Sequence, residues 1–243
     1  MKMFLTIARS VLFLVLQVSV TPLFAVVSLL TFLFGPLVRY RIICTWSRMT
    51  IALAKYICGI HYQTKGLENI PTTASVVISK HQSAWETLAF QIIFPPQVWV
   101  IKKELLYIPF FGWGLAMLSP IAIDRASGRG ALRQILQQGK ERLSRGFWVV
   151  IFPEGTRVRP GSKEKYQIGG AWLAAGSGAT VVPVAHNAGE LWAKSSLLKY
   201  PGVVTVSIGK PIDPRGLSPQ EINQRVEAWI ESEMLLLPSA LCA

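Results

Sequence analysis

The stretch Phe147-Trp-Val-Val-Ile-Phe-Pro-Glu-Gly-Thr-Arg157 joins a short apolar run to an abrupt polar turn. An apolar run of this length, bounded by proline and glycine, predicts a buried strand over Phe147–Phe152. In the turn, Gly155 allows a close approach of the backbone, and the planar guanidinium of Arg157 suits a phosphate. The stretch therefore predicts a strand of a buried sheet followed by an anion-binding loop, although a turn of this composition also occurs without any function.

From about residue 61 onward, similar β-branched runs alternate with helical patterns. This alternation predicts an α/β domain with a mostly buried sheet flanked by helices. Ligands of such sheets bind where strands lead into loops, so residues just after the strands are candidates for a site. Further strands are predicted over Ser75–Ser79, Val98–Ile101, Pro120–Asp124, Thr180–Ala185 and Val203–Ile208, and helices over Trp85–Phe94, Gly130–Leu143, Gln167–Ala175 and after Ser218-Pro219.

The N-terminal part of the chain has a different composition. Val11–Phe34 is almost continuously apolar, and as one helix it would be about 36 Å long, enough to cross a hydrocarbon core of about 30 Å. Because Pro22 removes a hydrogen bond from a helix interior, the segment either crosses the bilayer or forms two shorter pieces that dip into one leaflet and return. Its apolar part is too long for a cleaved signal peptide, so we expect a retained anchor.

The segment after this anchor carries a regular basic stripe. Arg41, Arg48 and Lys55 recur every seven residues among apolar neighbours, which places them on one side of a helix. Such a helix suits a membrane interface, with the stripe toward lipid phosphates, and it also suits a helix packed beneath the domain with the stripe in solvent. The expected organisation is a membrane anchor with an interfacial helix over residues 1–60 and the α/β domain over residues 61–243.

The charge of the chain narrows the classes of partner. At 243 residues with a formal net charge of +12, the protein favours anionic membrane lipids or an anionic substrate. Nucleic acid is not expected, because the sequence has no dense basic run, zinc finger or aromatic RNA-binding motif. Cys44, Cys58 and Cys242 lack metal-ligand spacing, so neither a metal site nor a disulfide framework is predicted. A reducing setting that faces the cytoplasm fits this cysteine usage.

His81 and Glu86 lie five residues apart in Lys-His-Gln-Ser-Ala-Trp-Glu, directly after the predicted strand Ser75–Ser79. A histidine can take a proton from an alcohol near neutral pH when a carboxylate fixes its tautomer and stabilises the imidazolium. The same letters fit a capping box, in which Ser83 and Glu86 bond the first amides of a helix. Both interpretations stay open at this point. A serine hydrolase is disfavoured, because the sequence lacks a Gly-x-Ser-x-Gly elbow.

Two more cations follow predicted strands. Lys102 comes after one strand, and Arg125 follows Ile121-Ala-Ile-Asp just before a helix start. A helix N-terminus beside an arginine favours anions. Each of these cations taken singly is more often a solvated surface charge.

Taken in order, five motifs resemble the lysophosphatidic acid acyltransferase family, the 1-acylglycerol-3-phosphate O-acyltransferase group of the glycerolipid acyltransferases. The resemblance covers roughly residues 61–211. The motifs are His81-Gln-Ser-Ala-Trp-Glu86, Lys102-Lys-Glu-Leu with Pro109 and Gly112, Ile121-Ala-Ile-Asp-Arg125, Phe152-Pro-Glu-Gly-Thr-Arg157 and Val181-Val-Pro-Val184.

The resemblance implies specific roles for these residues. His81 matches the general base of the family's His-x4-Asp motif, and Glu86 stands where the family has the orienting aspartate. The extra methylene of Glu86 sets the pair back or rotates it, and we expect activity to be retained. Lys80 stands where asparagine often precedes the family histidine. The residues implied to bind substrate are Glu154, Gly155, Thr156 and Arg157, with Lys102 and Arg125 toward its phosphate and Pro183 near the acyl-binding region.

The implied reaction moves an acyl group from acyl-CoA or acyl carrier protein to the sn-2 hydroxyl of lysophosphatidic acid, giving phosphatidic acid for phospholipid biosynthesis. It implies no metal or bound cofactor, and it implies a membrane location with the domain facing the cytoplasm, at the inner membrane if the source is bacterial. Alternatives of the same fold use glycerol 3-phosphate, another lysophospholipid or an ornithine-type acceptor, or hydrolyse the thioester with water. An alternative from another class is a catalytically silent membrane lipid-binding protein.

Overall fold

A computed structural model describes residues 2–242, without the side chains of Lys2 and Cys242. Met1 and Ala243, the outer ends of the two predicted regions, lie outside the described residues. The prediction about the Cys242 thiol also falls outside them.

The described residues form seven strands and eight α-helices. The strands are β1 (Ile60–Lys65), β2 (Val76–Ser79), β3 (Gln97–Lys102), β4 (Ile121–Ile123), β5 (Trp148–Ile151), β6 (Val181–His186) and β7 (Gly202–Ile208). The helices are α1 (Lys2–Leu30), α2 (Pro36–Cys58), α3 (Trp85–Ile93), α4 (Phe111–Met117), α5 (Arg129–Ser144), α6 (Gly169–Ser177), α7 (Ala188–Leu191) and α8 (Pro219–Leu236).

The strands form one sheet in the order β1-β7-β6-β2-β5-β3-β4. The pair β6–β7 is antiparallel and the other pairs are parallel. Strands β2 and β5 are buried along their whole length, as expected of parallel strands covered on both faces. Helix α3 packs on one face, where Phe90 contacts His186. Helix α6 packs on the other, where Gly170 lies against Ile78.

The parallel strands decide where the site lies. Strands β2, β3, β4, β5 and β6 run in the same direction, so their carboxyl ends meet at one edge of the sheet. The residues that leave this edge are Lys80-His81 after β2, Lys102 at the end of β3, Asp124-Arg125 after β4, Phe152–Arg157 after β5 and His186 at the end of β6.

Helices α1 and α2 form an antiparallel hairpin against this domain. Pro36 begins α2 after Gly35, and near the other end of the hairpin the Cys58 thiol lies 3.9 Å from the Arg9 carbonyl. Helix α1 is continuous through Pro22, so the structure does not show the two shorter pieces that were one of the two alternatives for Val11–Phe34. The turn of the hairpin follows the end of α1 at Leu30.

The predicted α/β architecture is confirmed, and the predicted strands and helices agree within a few residues. Ser218 caps α8 in a capping box with Glu221, and proline occupies its first turn. Strand β1 and the short helices α4 and α7 were not predicted. Strand β1 is an edge strand with mainly exposed side chains, so its sequence Ile-His-Tyr-Gln-Thr-Lys has no apolar run.

Candidate active site

His81 and Glu86 form a hydrogen-bonded pair at the carboxyl edge of the sheet. His81 Nδ1 lies 2.8 Å from Glu86 Oε1. The Glu86 side chain is fully buried, whereas that of His81 is 16% exposed. The five-residue spacing closes because His81 lies in the irregular segment before α3, while Glu86 lies in the first turn of that helix. The carboxylate fixes the proton on Nδ1 and leaves Nε2 as the basic nitrogen.

Glu86 also bonds the backbone that leads into α3. Its Oε1 accepts hydrogen bonds from the amides of Gln82 at 2.9 Å and Ser83 at 2.8 Å. Glu86 therefore makes both the backbone contacts of a capping residue and the contact with His81 that the dyad interpretation requires. The serine half of the capping box differs, because Ser83 Oγ accepts from the amide of Trp85 rather than from that of Glu86.

These contacts keep Glu86 ionised. Burial would raise its pKa, but the imidazoles of His186 and His81 and the amide of Ser83 outweigh burial and hold the pKa below its usual value. The ring of His81 is fixed from the other side, where it stacks on Phe152 with centroids 3.9 Å apart. Glu86 is thus a negative charge held next to an oriented imidazole.

A second histidine lies behind the pair, and the sequence analysis missed it. His186 is fully buried, its Nε2 donates to the Lys80 carbonyl at 2.8 Å, and its Nδ1 accepts from the Ala188 amide at 3.3 Å. Its Nε2 is also 3.9 Å from Glu86 Oε1. Burial lowers the pKa of His186, so the ring is neutral and bonds the backbone that leads into His81. Its position at the end of a predicted strand was the available signal.

A cavity of about 360 Å³ opens beside His81. It runs along α3, which contributes Thr87, Leu88 and Gln91, and its wall is mainly apolar. The remaining wall comes from helices α1, α2 and α4 and from β3, and includes Phe24, Ala25, Ile43, Trp46, Trp99, Ile101, Phe110, Phe111 and Leu115. A cavity with a mainly apolar wall suits a hydrocarbon chain.

Three of the predicted substrate-binding residues line this cavity with His81. They are Lys102, Arg125 and Gly155. Arg125 Nη1 donates to the Gly155 carbonyl, so the arginine joins the loop after β4 to the loop after β5. Gly155 has φ +69, a backbone conformation that favours glycine. The structure therefore brings two cations and the imidazole together around one opening.

The other predicted residues of the loop after β5 are placed differently. The side chain of Glu154 is fully buried, with its carboxylate 3.5 Å from Lys80 Nζ. Burial raises the pKa of Glu154 to about 7, although the lysine opposes this shift. Thr156 Oγ1 accepts from Lys194 Nζ at 3.1 Å, and the same ammonium donates to the Arg157 carbonyl at 3.0 Å. Lys194 braces this loop and was not identified from the sequence.

Pro183 lies away from the cavity wall. It pairs in register with Ile78 of β2 and lies on the sheet face that α6 and α8 cover. Gly209 lies so close to it that a Cβ there would be 2.8 Å from the Pro183 ring and 2.7 Å from the Trp229 indole. The structure does not bring Pro183 together with the other site residues.

The fold and the site together have the form of an α/β enzyme with a histidine–carboxylate pair beside a mainly apolar cavity. A profile of the family described as Acyltransferase matches residues 61–187. The 1-acyl-sn-glycerol-3-phosphate acyltransferase of Pseudomonas aeruginosa is 47% identical over 213 residues, covering 84% of this chain and 83% of that protein. The alpha form of Homo sapiens is 27% identical over 178 residues, covering 72% of this chain and 63% of that protein.

A solved structure shows the same fold. The crystal structure of the 1-acyl-sn-glycerophosphate acyltransferase PlsC from Thermotoga maritima superposes with a TM-score of 0.80 and 22% identity, covering 97% of both chains. The chain belongs to the 1-acyl-sn-glycerol-3-phosphate acyltransferase family, and it is an acyltransferase. The resemblance found in the sequence is confirmed.

Proposed function

We propose that the protein transfers a fatty acyl group from a thioester donor to the sn-2 hydroxyl of 1-acyl-sn-glycerol 3-phosphate, giving phosphatidic acid. The observation that carries this proposal is the convergence of the His81–Glu86 pair, the cations Lys102 and Arg125 and the apolar cavity at one opening. An acceptor with a hydroxyl, a phosphate and a hydrocarbon chain matches those three features. The names of the relatives support the same acceptor.

His81 provides the chemistry in this proposal. Its Nε2 takes the proton of the acceptor hydroxyl as the oxygen attacks the thioester carbonyl. The carbon–sulfur bond then breaks, and the thiolate leaves with the proton from the imidazolium. The ionised Glu86 stabilises the imidazolium between these steps. General-base catalysis contributes roughly 10²- to 10⁴-fold in rate, and positioning contributes further.

The donor is acyl-CoA or acyl carrier protein, and neither requires a metal or a bound cofactor in this mechanism. The apolar cavity fits the acyl chain of either donor. Both donors are cytoplasmic molecules, so the domain faces the cytoplasm, at the inner membrane if the source is bacterial.

The acceptor and product are lipids, and α1 provides a membrane anchor. Met3–Leu33 has a mean hydropathy of 2.2 and is mainly exposed. Helix α1 nevertheless contacts the domain near both ends. Ser10 Oγ accepts from the Lys199 amide at 3.0 Å, and Ser28 packs against Gly114 of α4. Contacts near both ends favour a helix that lies beside the domain in one leaflet. A helix that crosses the bilayer would contact the domain at one end only.

Two other surfaces fit the same membrane. Tyr107, Phe110 and Trp113 are exposed on α4 and on the segment that leads into it, next to α1. On α2, Arg41, Arg48 and Lys55 are exposed while the opposite side is buried in the protein, so this helix is both packed and basic on its outside. These cations suit anionic lipid headgroups. Binding to vesicles should therefore increase with anionic lipid content and decrease with salt, and equal binding to neutral vesicles would contradict this part of the proposal.

The experiment that tests the function is transfer of labelled acyl groups by the purified protein in detergent. Donors are acyl-CoA and acyl carrier protein, and acceptors are lysophosphatidic acid, glycerol 3-phosphate, other lysophospholipids and water. We expect phosphatidic acid from the parent and a rate of its formation that is lower by roughly 10²- to 10⁴-fold from His81→Ala. A different product would identify another acceptor, and a folded parent that binds lipid without forming any product would support the silent lipid-binding protein.

The phosphate-binding part is tested separately with Arg125→Ala and Arg157→Ala. We expect each to raise the KM for lysophosphatidic acid about tenfold, the effect of a lost charge-assisted phosphate contact, while the KM for the donor changes little. An unchanged acceptor KM would remove that arginine from the site.

A further inference from the structure

Lys80 directly precedes the proposed base and is almost completely buried, at 2% exposure. Its Nζ lies 2.7 Å from Glu231 Oε1 on α8 and 3.5 Å from Glu154 Oε1. It also lies 3.4 Å from the Ser162 carbonyl and 5.8 Å from the ring centroid of Tyr166. Apart from Glu231, these neighbours belong to residues 152–166, which we call the clamp loop.

The charges of this cluster cancel at neutral pH only when one of its two carboxyl groups is protonated. Lys80 brings one positive charge to two carboxylates. Glu231 is the closer counter-charge, and it also accepts a hydrogen bond from the Tyr166 hydroxyl at 2.8 Å. Glu154 is more deeply buried and has its pKa raised to about 7, against the opposing effect of the ammonium. A buried ammonium with one close carboxylate and one protonated carboxyl is electrically neutral as a group.

We propose that Lys80 is a positioning residue that holds the base against the clamp loop, with Glu231 of α8 as its counter-charge. Lys80 is joined to His81 by a peptide bond, and the His81 carbonyl accepts from the Val158 amide of the clamp loop at 2.7 Å. Loss of the ammonium contacts therefore shifts the imidazole and Gly155 relative to each other. This inference rests on the proposed function, in which Gly155, Thr156 and Arg157, at one end of the clamp loop and away from Lys163, bind the acceptor.

The site of the counter-charge is informative. Glu231 lies outside residues 61–187, so the contact of α8 with Lys80 comes from beyond the segment that matches the family profile. A surface pair joins the same two elements, because Lys163 Nζ of the clamp loop lies 3.2 Å from Glu227 Oε1 of α8 with the lysine side chain 61% exposed. A loop and a helix can thus be tied without burying a charge. Burying Lys80 costs desolvation free energy that the surface pair avoids.

The surface pair provides a matched control for the test. The variants are Lys80→Met, Glu231→Gln, the double variant Lys80→Met/Glu231→Gln, and Lys163→Met as control. For each, Tm, kcat and the KM values for lysophosphatidic acid and the donor are measured on the full chain in detergent. A positioning residue and a merely stabilising residue differ in the acceptor KM.

We expect Lys80→Met to lower Tm and to raise the acceptor KM about tenfold, with the donor KM within about twofold of the parent. Adding Glu231→Gln should recover most of the lost Tm, because the carboxylate nearest the missing cation is then neutral and Glu154, without the ammonium that lowers its pKa, is protonated. The acceptor KM should nevertheless stay raised. Glu231→Gln alone should raise the acceptor KM by about threefold, since Lys80 loses its nearer partner. Lys163→Met should match the parent in all four quantities.

Three results would overturn the proposal. They are an acceptor KM that recovers together with Tm in the double variant, an acceptor KM in Lys80→Met equal to that of the parent, and equal changes in both KM values. If Lys80→Met does not fold, an unchanged acceptor KM in Glu231→Gln overturns it instead. A parent that gives no product with lysophosphatidic acid contradicts the proposed function itself, and this outcome is read from the parent alone.

Discussion

Two buried glutamates flank the segment Lys80-His81, and they have opposite electrostatic environments. The side chains of Glu86 and Glu154 are both fully buried. The pKa of Glu86 is held below its usual value, whereas that of Glu154 is raised to about 7. Equal burial therefore does not decide ionisation in this protein, and the number and distance of the partners do.

The partners explain the difference. Glu86 Oε1 accepts from His81 Nδ1 and from the amides of Gln82 and Ser83, all at 2.8–2.9 Å. Glu154 has one ammonium at 3.5 Å, and that ammonium lies closer to another carboxylate. The first environment holds a permanent negative charge beside the proposed base. The second holds a group that exchanges a proton near neutral pH while it fixes a loop.

Removal of the His81 imidazole, the hydrogen-bond partner of Glu86, should have the largest effect on activity. His81→Ala leaves the carboxylate in place without a base, and we expect kcat/KM to fall by roughly 10²- to 10⁴-fold. Steady-state transfer from the thioester to lysophosphatidic acid measures it. Lipid binding by the same variant is the control and should match the parent, and a loss below tenfold would show that the imidazole is not the base.

Shortening the carboxylate of the dyad should have a smaller effect. Glu86→Asp restores the residue of the family motif but withdraws the oxygen that three donors share in this chain, so we expect kcat to fall about tenfold at unchanged donor KM. The rate measured over a range of pH checks this prediction. Full activity of the aspartate variant would show that the loop before α3 adapts to either side chain.

The smallest expected effect is on the pH dependence of protein stability, and it contrasts Glu154 and Glu86 most directly. The pKa of Glu154 is higher in the folded than in the unfolded protein. Its ionisation therefore lowers the free energy of unfolding as pH rises from about 4.5 to about 7. Above that range the loss stays constant at roughly 3 kcal/mol, and below it the loss is absent. Glu154→Gln should therefore gain stability relative to the parent as pH rises through this window.

Glu86 has a lowered pKa, so it stabilises above about pH 4.5 and loses this contribution as pH falls through its folded value. Glu86→Gln should thus be less stable than the parent at pH 7.

Thermal unfolding of both variants between pH 4.5 and pH 8 tests this pair of predictions. The two differences in Tm from the parent should have opposite signs at pH 8. Equal signs would mean that the two environments are electrostatically alike.

Part of this site could be predicted from the sequence. The pair His81–Glu86 was predictable, because both residues lie within one short segment and histidine with a carboxylate has a specific chemical meaning. The cavity-lining cations Lys102 and Arg125 were predictable because they follow strands, and parallel strands bring their ends together. These are local patterns combined with one rule of sheet topology.

The surroundings of Glu154 were not predictable in the same way. Lys80 and Glu231 are separated by 151 positions, and their contact depends on how α8 packs on the sheet. The implied substrate contact of Glu154 did not indicate that its side chain would be buried. His186 and Lys194 contribute through backbone and loop contacts that have no sequence motif. Long-range packing decides these features.

One measurement tests the central claim most directly: acyl transfer to lysophosphatidic acid by Glu86→Gln and Glu154→Gln beside the parent at pH 6 and pH 8. We predict that Glu86→Gln loses about 10²-fold or more at both pH values, because the imidazolium has no charged partner. Glu154→Gln should stay within about fivefold of the parent at pH 6, where the native carboxyl is already protonated. Equal losses in both variants at pH 6, or full activity of Glu86→Gln, would contradict the account.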